Sequence, residues 1–159
     1  MASILIYALL AIAQSGSAHD WNRYENARYG TILSYPAGYF AQRTESANGD
    51  GITLTARDGA TLRIFGTTNP EDAAPAAYVD TLIRGDARYG NLSYRLVRPG
   101  FAVLSGSDGG QLFYERYAFG DPSGAVHAFV LDYPATARAR YDPIVPRMSA
   151  SLSWRGRRR

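Results

Sequence analysis

The sequence predicts a single α+β domain in which helices pack against one antiparallel sheet of about six or seven strands. Two observations lead to this prediction. Most of the chain consists of short runs in which apolar and polar residues alternate, separated by turn residues, and this pattern is typical of strands. Two stretches change to an apolar period of three or four residues, which predicts helices. The predicted order is strands, helix, strands, helix.

Three strands are predicted before the first helix. Residues 31–35 alternate and stop at a proline, so they form the first strand. Residues 52–57 and 60–66 alternate as well. The Asp58-Gly59 pair between them is a strong hairpin signal. The aromatic segment that precedes the first strand is expected to be ordered, without an assigned strand.

A helix is predicted from Asp72 to Gly85, where the period changes. Asp72 is placed to cap its first turn, and Gly85 stands where a helix end favours a left-handed residue. The apolar residues that define its buried face are Ala74, Tyr78 and Leu82.

Four strand runs follow this helix, and short turns join them. Connections this short require antiparallel neighbours. The last two runs are apolar on both faces, so they are expected in the middle of a covered sheet. The four runs are residues 92–98, 101–106, 111–119 and 125–133.

A second helical region is predicted from residue 135 to Trp154. Pro143 and Pro146 disfavour a continuous helix in its first half, because proline lacks the N–H that a helix needs. Its apolar residues recur three or four positions apart at Tyr141, Val145, Met148 and Leu152.

The N-terminus predicts export. An apolar block of about ten residues, half of what a membrane-spanning helix requires, is followed by small and polar residues. Gly16 and Ala18 stand at the −3 and −1 positions of a small-residue cleavage site. Residues 1–18 are therefore predicted to be a signal peptide, and the mature chain to begin near His19 or Asp20, in the periplasm or outside the cell. Because no Lys or Arg precedes the block, a buried N-terminal helix or a retained anchor remain as alternatives.

The composition excludes two kinds of chemistry. The chain has no cysteine, so thiol catalysis and disulfides are absent, and two histidines without cysteine do not provide the usual zinc ligands. Aromatic residues make up 13% of the chain, too many for a disordered segment. Residues 19–154 are predicted to form one domain.

The basic net charge of +3 belongs to the end of the chain. Residues 155–159 form a predicted tail with four arginines, and without them 13 arginines face 14 acidic residues. The tail would attract phosphates, anionic lipid or an acidic partner, although a solvated terminus is the favoured interpretation. For an exported protein, nucleic acid is not an expected partner.

Several strings of residues resemble a group of small exported bacterial proteins of unassigned function. They are residues 24–30, 35–36, 48–51, 104–106, 113–116, 132–135 and 141–145, followed by Met148 and residues 151–152. More distantly, the order of elements and the opening pattern of Tyr, Tyr-Gly and Tyr-Pro resemble the PsbP-like superfamily. That resemblance implies an antiparallel sheet between helices and a protein that binds or assembles with other proteins and is not an enzyme. It implies no site residue.

His127 is the histidine inside the predicted domain, on a strand face shared with Phe129 and Leu131. A catalytic triad could use it, but no Gly-x-Ser-x-Gly elbow supplies a nucleophile, and residues 104–109 only look similar. A partly buried histidine that a neighbour satisfies is therefore expected.

Glu115 and Asp132 lie on adjacent predicted strands, as the paired carboxylates of glycoside hydrolases can. Arginines lie near them in sequence, so salt-bridged acids are the favoured interpretation. A hydrolase that uses Glu115, Asp132 and His127 is retained as the alternative function.

The turn at residues 48–51 resembles the start of an EF-hand calcium loop, because Asn48 and Asp50 have its spacing. The loop would need an acid and a glutamate where the chain has Ser46 and Arg57. A tight turn is predicted instead. No glycine-rich loop follows a strand and opens a helix, so no nucleotide site, and no cofactor, is predicted.

Tyrosine and arginine alternate on the predicted strands at Tyr94, Arg95, Tyr114 and Arg116. Exposed residues of these two types form interaction hot spots, whereas packed sheet tyrosines explain the same pattern without a partner. The leading hypothesis is a non-enzymatic periplasmic domain that binds a protein partner or a small ligand through a sheet face or a sheet–helix groove. These four residues are its predicted contacts.

Overall fold

A computed structural model describes residues 20–157. The predicted signal peptide lies outside these residues, as do the last two arginines. The described strands are β1 (Trp21–Glu25), β2 (Thr31–Pro36), β3 (Gln42–Glu45), β4 (Gly51–Thr55), β5 (Thr61–Thr68), β6 (Leu92–Arg98), β7 (Phe101–Asp108), β8 (Gln111–Ala118), β9 (Ala125–Pro134) and β10 (Ser153–Trp154). The described α-helices are α1 (Pro75–Gly85), α2 (Arg138–Tyr141) and α3 (Val145–Ser151).

Seven strands form a large sheet in the order β3-β4-β5-β9-β8-β7-β6, with antiparallel neighbours throughout. Strands β6 to β9 are a meander, because their connections are too short for any other pairing. β9 then pairs with β5 and joins the two halves of the sheet. The predicted α+β class and antiparallel sheet are confirmed.

A second, smaller sheet has the order β1-β2-β10. The prediction placed residues 31–35 in the single large sheet, whereas β2 lies between β1 and β10. Three strands were not predicted, for one physical reason. β1 buries only Tyr24, β3 is exposed throughout, and β10 has two residues, so none shows an alternating apolar pattern.

The core divides into two clusters on the two faces of the large sheet. One lies beneath the small sheet and α3 and contains Leu33, Phe129 and Met148. The other lies beneath α1 and contains Val79 and Phe113. The middle strand β9 contributes to both clusters, which explains the predicted run that is apolar on both faces.

Helix α1 begins at Pro75, and the prediction of an N-cap at Asp72 is wrong. Glu71 and Asp72 both have positive φ, at 58° and 48°, so this segment is a short turn that cannot continue into a helix. Proline occupies the first helical position instead, where its missing N–H costs little. The helix ends at Gly85, as expected, but Gly85 is the last helical residue and does not have the left-handed conformation predicted for it.

The second helical region is broken into α2, a 3-10 turn (Asp142–Ile144) and α3. The predicted interruption near Pro143 is confirmed, but the helical prediction for Trp154 is wrong. The chain leaves the helix after Ser151 so that Trp154 pairs with Thr31 in the small sheet. No helix within residues 20–157 has the length and apolar character needed to cross a membrane.

Candidate functional site

Three of the four predicted contact residues share one face of the large sheet. Tyr94 and Tyr114 both align with Ser105 of β7, and side chains directly opposite each other point to the same side. Arg116 is two residues beyond Tyr114 and therefore points the same way. Arg95 points to the opposite face, where it pairs with Asp80 of α1 at 2.6 Å.

This part of the sheet is called the open face here, and it comprises Tyr94, Ser105, Tyr114 and Arg116. The small sheet lies farther along the same side, where β2 contacts β5 and β9. Tyr94 is 50% exposed, the one large hydrophobic side chain this exposed in the described part of the chain. The open face therefore presents an aromatic side chain that the domain itself does not cover.

Tyr114 and Arg116 are held in place by the domain. The Tyr114 ring stacks on Phe129 with centroids 5.7 Å apart, and its hydroxyl lies 2.9 Å from Ser149 Oγ of α3. The Arg116 guanidinium lies 4.3 Å from the centre of the Phe101 ring. Both side chains are thus fixed before any partner arrives, which lowers the entropy that binding costs.

A groove of about 490 Å³ runs between the open face and the helices α2 and α3. Tyr133 donates a hydrogen bond to Asp142 at 2.7 Å on its helical side. Burial and the Asp142 carboxylate raise the pKa of Tyr133, so its hydroxyl stays protonated and keeps donating. The groove is lined by Ser93, Ser105, Gly106, Ser107, Leu112, Phe113, Tyr114, Tyr133, Arg138, Asp142, Val145 and Pro146.

His127 lies inside the domain, between the two sheets, and is fully buried. Its Nδ1 is 2.8 Å from Thr31 Oγ1, and its Nε2 is 2.8 Å from Asp121 Oδ2. The ring stacks on Trp154 with centroids 5.0 Å apart and planes inclined by 12°. The neighbours that satisfy this histidine are therefore Asp121 and Thr31, and the turn before β9 supplies the acid.

Burial lowers the pKa of His127, against the opposing effect of Asp121, so the ring is neutral. In the neutral ring, Nε2–H donates to Asp121 and Nδ1 accepts from the Thr31 hydroxyl. The order Thr, His, Asp resembles a nucleophile, base and acid. However, Thr31 and His127 are both 0% exposed, so no substrate contacts them. The three residues fasten the small sheet to the large one.

The depressed pKa of His127 predicts a dependence of stability on pH. The unfolded chain takes up a proton near the ordinary pKa of 6.5, whereas the folded chain does so only at lower pH. The free energy of unfolding should therefore fall as the pH drops below 6.5, by up to about 1.4 kcal/mol per pH unit. Urea unfolding between pH 7.5 and 5 tests this against His127→Gln, which lacks the titrating ring. If the wild type and the variant show the same slope, His127 is not the titrating group.

Glu115 is buried on the other face of the large sheet, with 1% of its surface exposed. Its Oε2 accepts hydrogen bonds from Tyr89 at 2.8 Å and Tyr117 at 2.7 Å. Arg88 lies 3.7 Å from Glu115 Oε1 and also binds Asp132. The pKa of Glu115 is raised overall, because burial outweighs the hydrogen bonds from the two tyrosines and the charge of Arg88, which lower it. One arginine therefore bridges the two acids that the hydrolase alternative required.

The structure does not bring Glu115, Asp132 and His127 into one site. Residues 127 and 132 differ by an odd number on β9, so their side chains point to opposite faces. The salt-bridged interpretation of the two acids describes the observed geometry, although Arg88 provides the bridge and not the arginines considered from the sequence. Arg88 and Tyr89 follow α1 in a 3-10 turn with no motif, so no local signal could have identified them. Within residues 20–157, no three acidic or histidine side chains converge as metal ligands.

The fold is shared with a known structure. No family model matches the sequence, and no curated protein matches it significantly. The solution structure of cyanobacterial PsbP (CyanoP) from Synechocystis sp. PCC 6803 superimposes on this chain with a TM-score of 0.62. The fold is PsbP-like. The match covers 92% of this chain and 98% of the other.

The PsbP-like fold confirms the architecture that the distant resemblance implied. The two sequences are 15% identical. At this identity the likeness shows a shared fold and does not transfer the role of any residue. The shared PsbP-like fold therefore assigns no role to any side chain of this domain.

Proposed function

We propose that the protein is a non-enzymatic, exported domain that binds a protein partner through the open face and the adjoining groove. The observation that carries this proposal is Tyr94, a half-exposed aromatic residue on the same sheet face as Tyr114, which lines the groove and is already fixed by its contact with Ser149. Tyrosine and arginine at the centre of a contact surface contribute most to protein binding. The four predicted contacts reduce to three, because Arg95 lies on the opposite face.

A function without catalysis is supported by the burial of the reactive side chains and by the hydrogen bonds that they already form within the domain. A general base or nucleophile has to lie within hydrogen-bond distance of the substrate. His127 and Glu115 are closed off from solvent, and each already has its hydrogen-bond partners within the domain. Both groups stabilise the fold, and neither has an open position for a reacting atom.

A protein partner is favoured over a small ligand by the shape of the surface. A small ligand in the groove would fit its volume, but would leave the adjacent Tyr94 uncovered. A protein partner covers about 800 Å² on each side, enough to bury Tyr94 and place one of its own side chains in the groove. From the predicted signal peptide we infer that this contact forms in the periplasm or outside the cell.

The contact residues are tested by affinity capture from separate envelope and cytosolic extracts of the native host. Tyr94→Ser and Arg116→Gln should each reduce recovery of the partner about tenfold, the effect of losing one hot-spot side chain. Arg84→Gln on the exposed side of α1 is the control and should leave recovery unchanged. If both contact variants recover as much partner as the wild type does, the open face is not the contact surface. A partner found only in the cytosolic extract would contradict export.

A further inference from the structure

A second cleft lies at the other side of α2, away from the groove. It has a volume of about 570 Å³ and is formed by the turn after β2, the tip of the β4–β5 hairpin and α2. The residues that line it are Gly38, Tyr39, Ala41, Arg57, Asp58 and Arg140. Two of these six side chains are guanidinium groups.

Two positive charges, Arg57 and Arg140, line this cleft with one negative charge, Asp58, and neither arginine forms an ion pair with it. Within residues 20–157, neither Arg57 nor Arg140 has an acidic partner or a hydrogen bond to protein. The nearby Asp58 is occupied, since Tyr141 donates to both of its carboxylate oxygens at 2.9 and 3.0 Å. Ala60 N donates to the same carboxylate at 3.1 Å. The N–H groups of two arginines are therefore left for an outside acceptor.

The Arg140 guanidinium is also oriented in advance. It lies 4.6 Å from the centre of the Tyr39 ring and 5.7 Å from the Tyr141 ring. The two rings are themselves fixed against each other, edge to face, with centroids 5.9 Å apart. A guanidinium stacked on an aromatic ring keeps its edge, and the N–H groups along it, free to form two parallel hydrogen bonds. Part of the side-chain entropy that binding would cost is thus already lost.

We propose that the cleft formed by Tyr39, Arg57 and Arg140 binds a small oxyanion, such as a phosphate or a carboxylate. Guanidinium groups recognise both chemistries through charge-assisted hydrogen bonds. Two of them line this cleft with a single carboxylate, Asp58, which already accepts hydrogen bonds from Tyr141 and Ala60. The site lies apart from the open face, so it is independent of the proposed partner contact.

The test is an NMR titration of the purified ¹⁵N-labelled protein with inorganic phosphate and, separately, with succinate. Saturable shifts of the backbone amides of residues 38–41, 57–60 and 139–141 are expected. Sodium chloride at equal ionic strength should give smaller, non-saturable shifts, because screening alone does not occupy a site. Saturation by only one of the two anions supports the site and assigns a tetrahedral or a planar ligand. Shifts no larger than those from sodium chloride with both anions overturn the proposal.

Four variants separate a site from general electrostatic attraction. Arg140→Gln and Arg57→Gln should each weaken binding about tenfold, the effect of losing charge-assisted hydrogen bonds. Arg140→Lys keeps the charge but lacks the planar fork, and should also bind more weakly. Arg63→Gln is the control, because it removes an equal charge from β5 outside the cleft, where residue 63 aligns with Val130. This variant should bind the anion as the wild type does. An equal loss in Arg63→Gln, or unchanged binding by Arg140→Lys, overturns the stacked-arginine geometry.

Discussion

Replacing Arg88 by methionine is expected to lower the free energy of unfolding by about 3–5 kcal/mol, since breaking a buried ion pair leaves uncompensated charge. Glu115, at 1% exposure, would lose its counter-charge, and Asp132 would lose the same partner. The aliphatic part of methionine can still cover Phe113, which Arg88 now does at 4.4 Å. Urea unfolding at pH 7 measures the change.

The pH dependence of the Arg88 variant provides a second measurement. Burial already raises the pKa of Glu115, and losing Arg88 raises it further. A carboxyl group whose folded pKa lies above its unfolded value destabilises the fold as the pH rises above the ordinary value of 4.5. The deficit of Arg88→Met should therefore shrink as the pH falls towards 4.5.

The control is the double variant Arg88→Met with Glu115→Gln. Because the second change removes the stranded charge, the double variant should be more stable than Arg88→Met alone. A cost below about 1 kcal/mol for Arg88→Met would mean that the ion pair behaves as an exposed one.

Replacing Gly66 by alanine is the second change with a large expected effect. A Cβ atom at this position would lie 2.3 Å from Tyr29 Cβ and 2.7 Å from Thr31 Oγ1. Tyr29 Cβ is attached to the backbone and cannot rotate away, so the segment that carries Tyr29 and Thr31 has to shift. Gly66 aligns with His127, so the shift would disturb the contact that fastens the two sheets. We expect a loss of about 3 kcal/mol, the upper part of the range for overpacked cores.

The measurement combines urea unfolding with tryptophan fluorescence, to which Trp21 and Trp154 both contribute; Trp154 stacks on His127 and reports the same contact. Gly85→Ala is the matched control, because the added methyl group meets nothing within 4 Å beyond its own helix and the residue ends that helix. It should change the stability by no more than about 1 kcal/mol, in the favourable direction. If Gly66→Ala proves as stable as this control, the close approach of the two sheets does not require glycine at position 66.

The central meander was predictable because its information is local. Each run between residues 92 and 133 alternates or is apolar, and each turn between runs contains glycine with proline or aspartate. Short turns leave antiparallel pairing as the one solution. The predicted runs accordingly match β6, β7, β8 and β9 to within two residues at each end.

The small sheet could not be predicted in the same way. β10 pairs with β2 across more than a hundred residues of sequence, and two residues carry no detectable period. The pairing depends on Trp154, which stacks on His127, and on the backbone bond from Arg155 N to Gly30 O at 2.9 Å. Arg155 also binds Glu25 at 2.7 Å, so the first residue of the predicted tail belongs to the folded domain.

The sequence by itself determined the α+β class, the antiparallel meander and the types of chemistry that the composition excludes, because strand period and turn residues act over a few positions. Only the tertiary structure decided which side chains meet. His127 and Thr31 are 96 positions apart, and Arg88 and Asp132 are 44 apart. The same holds for the open face and for the cleft at Tyr39: strand pairing and helix packing select their members, and no local pattern records that selection.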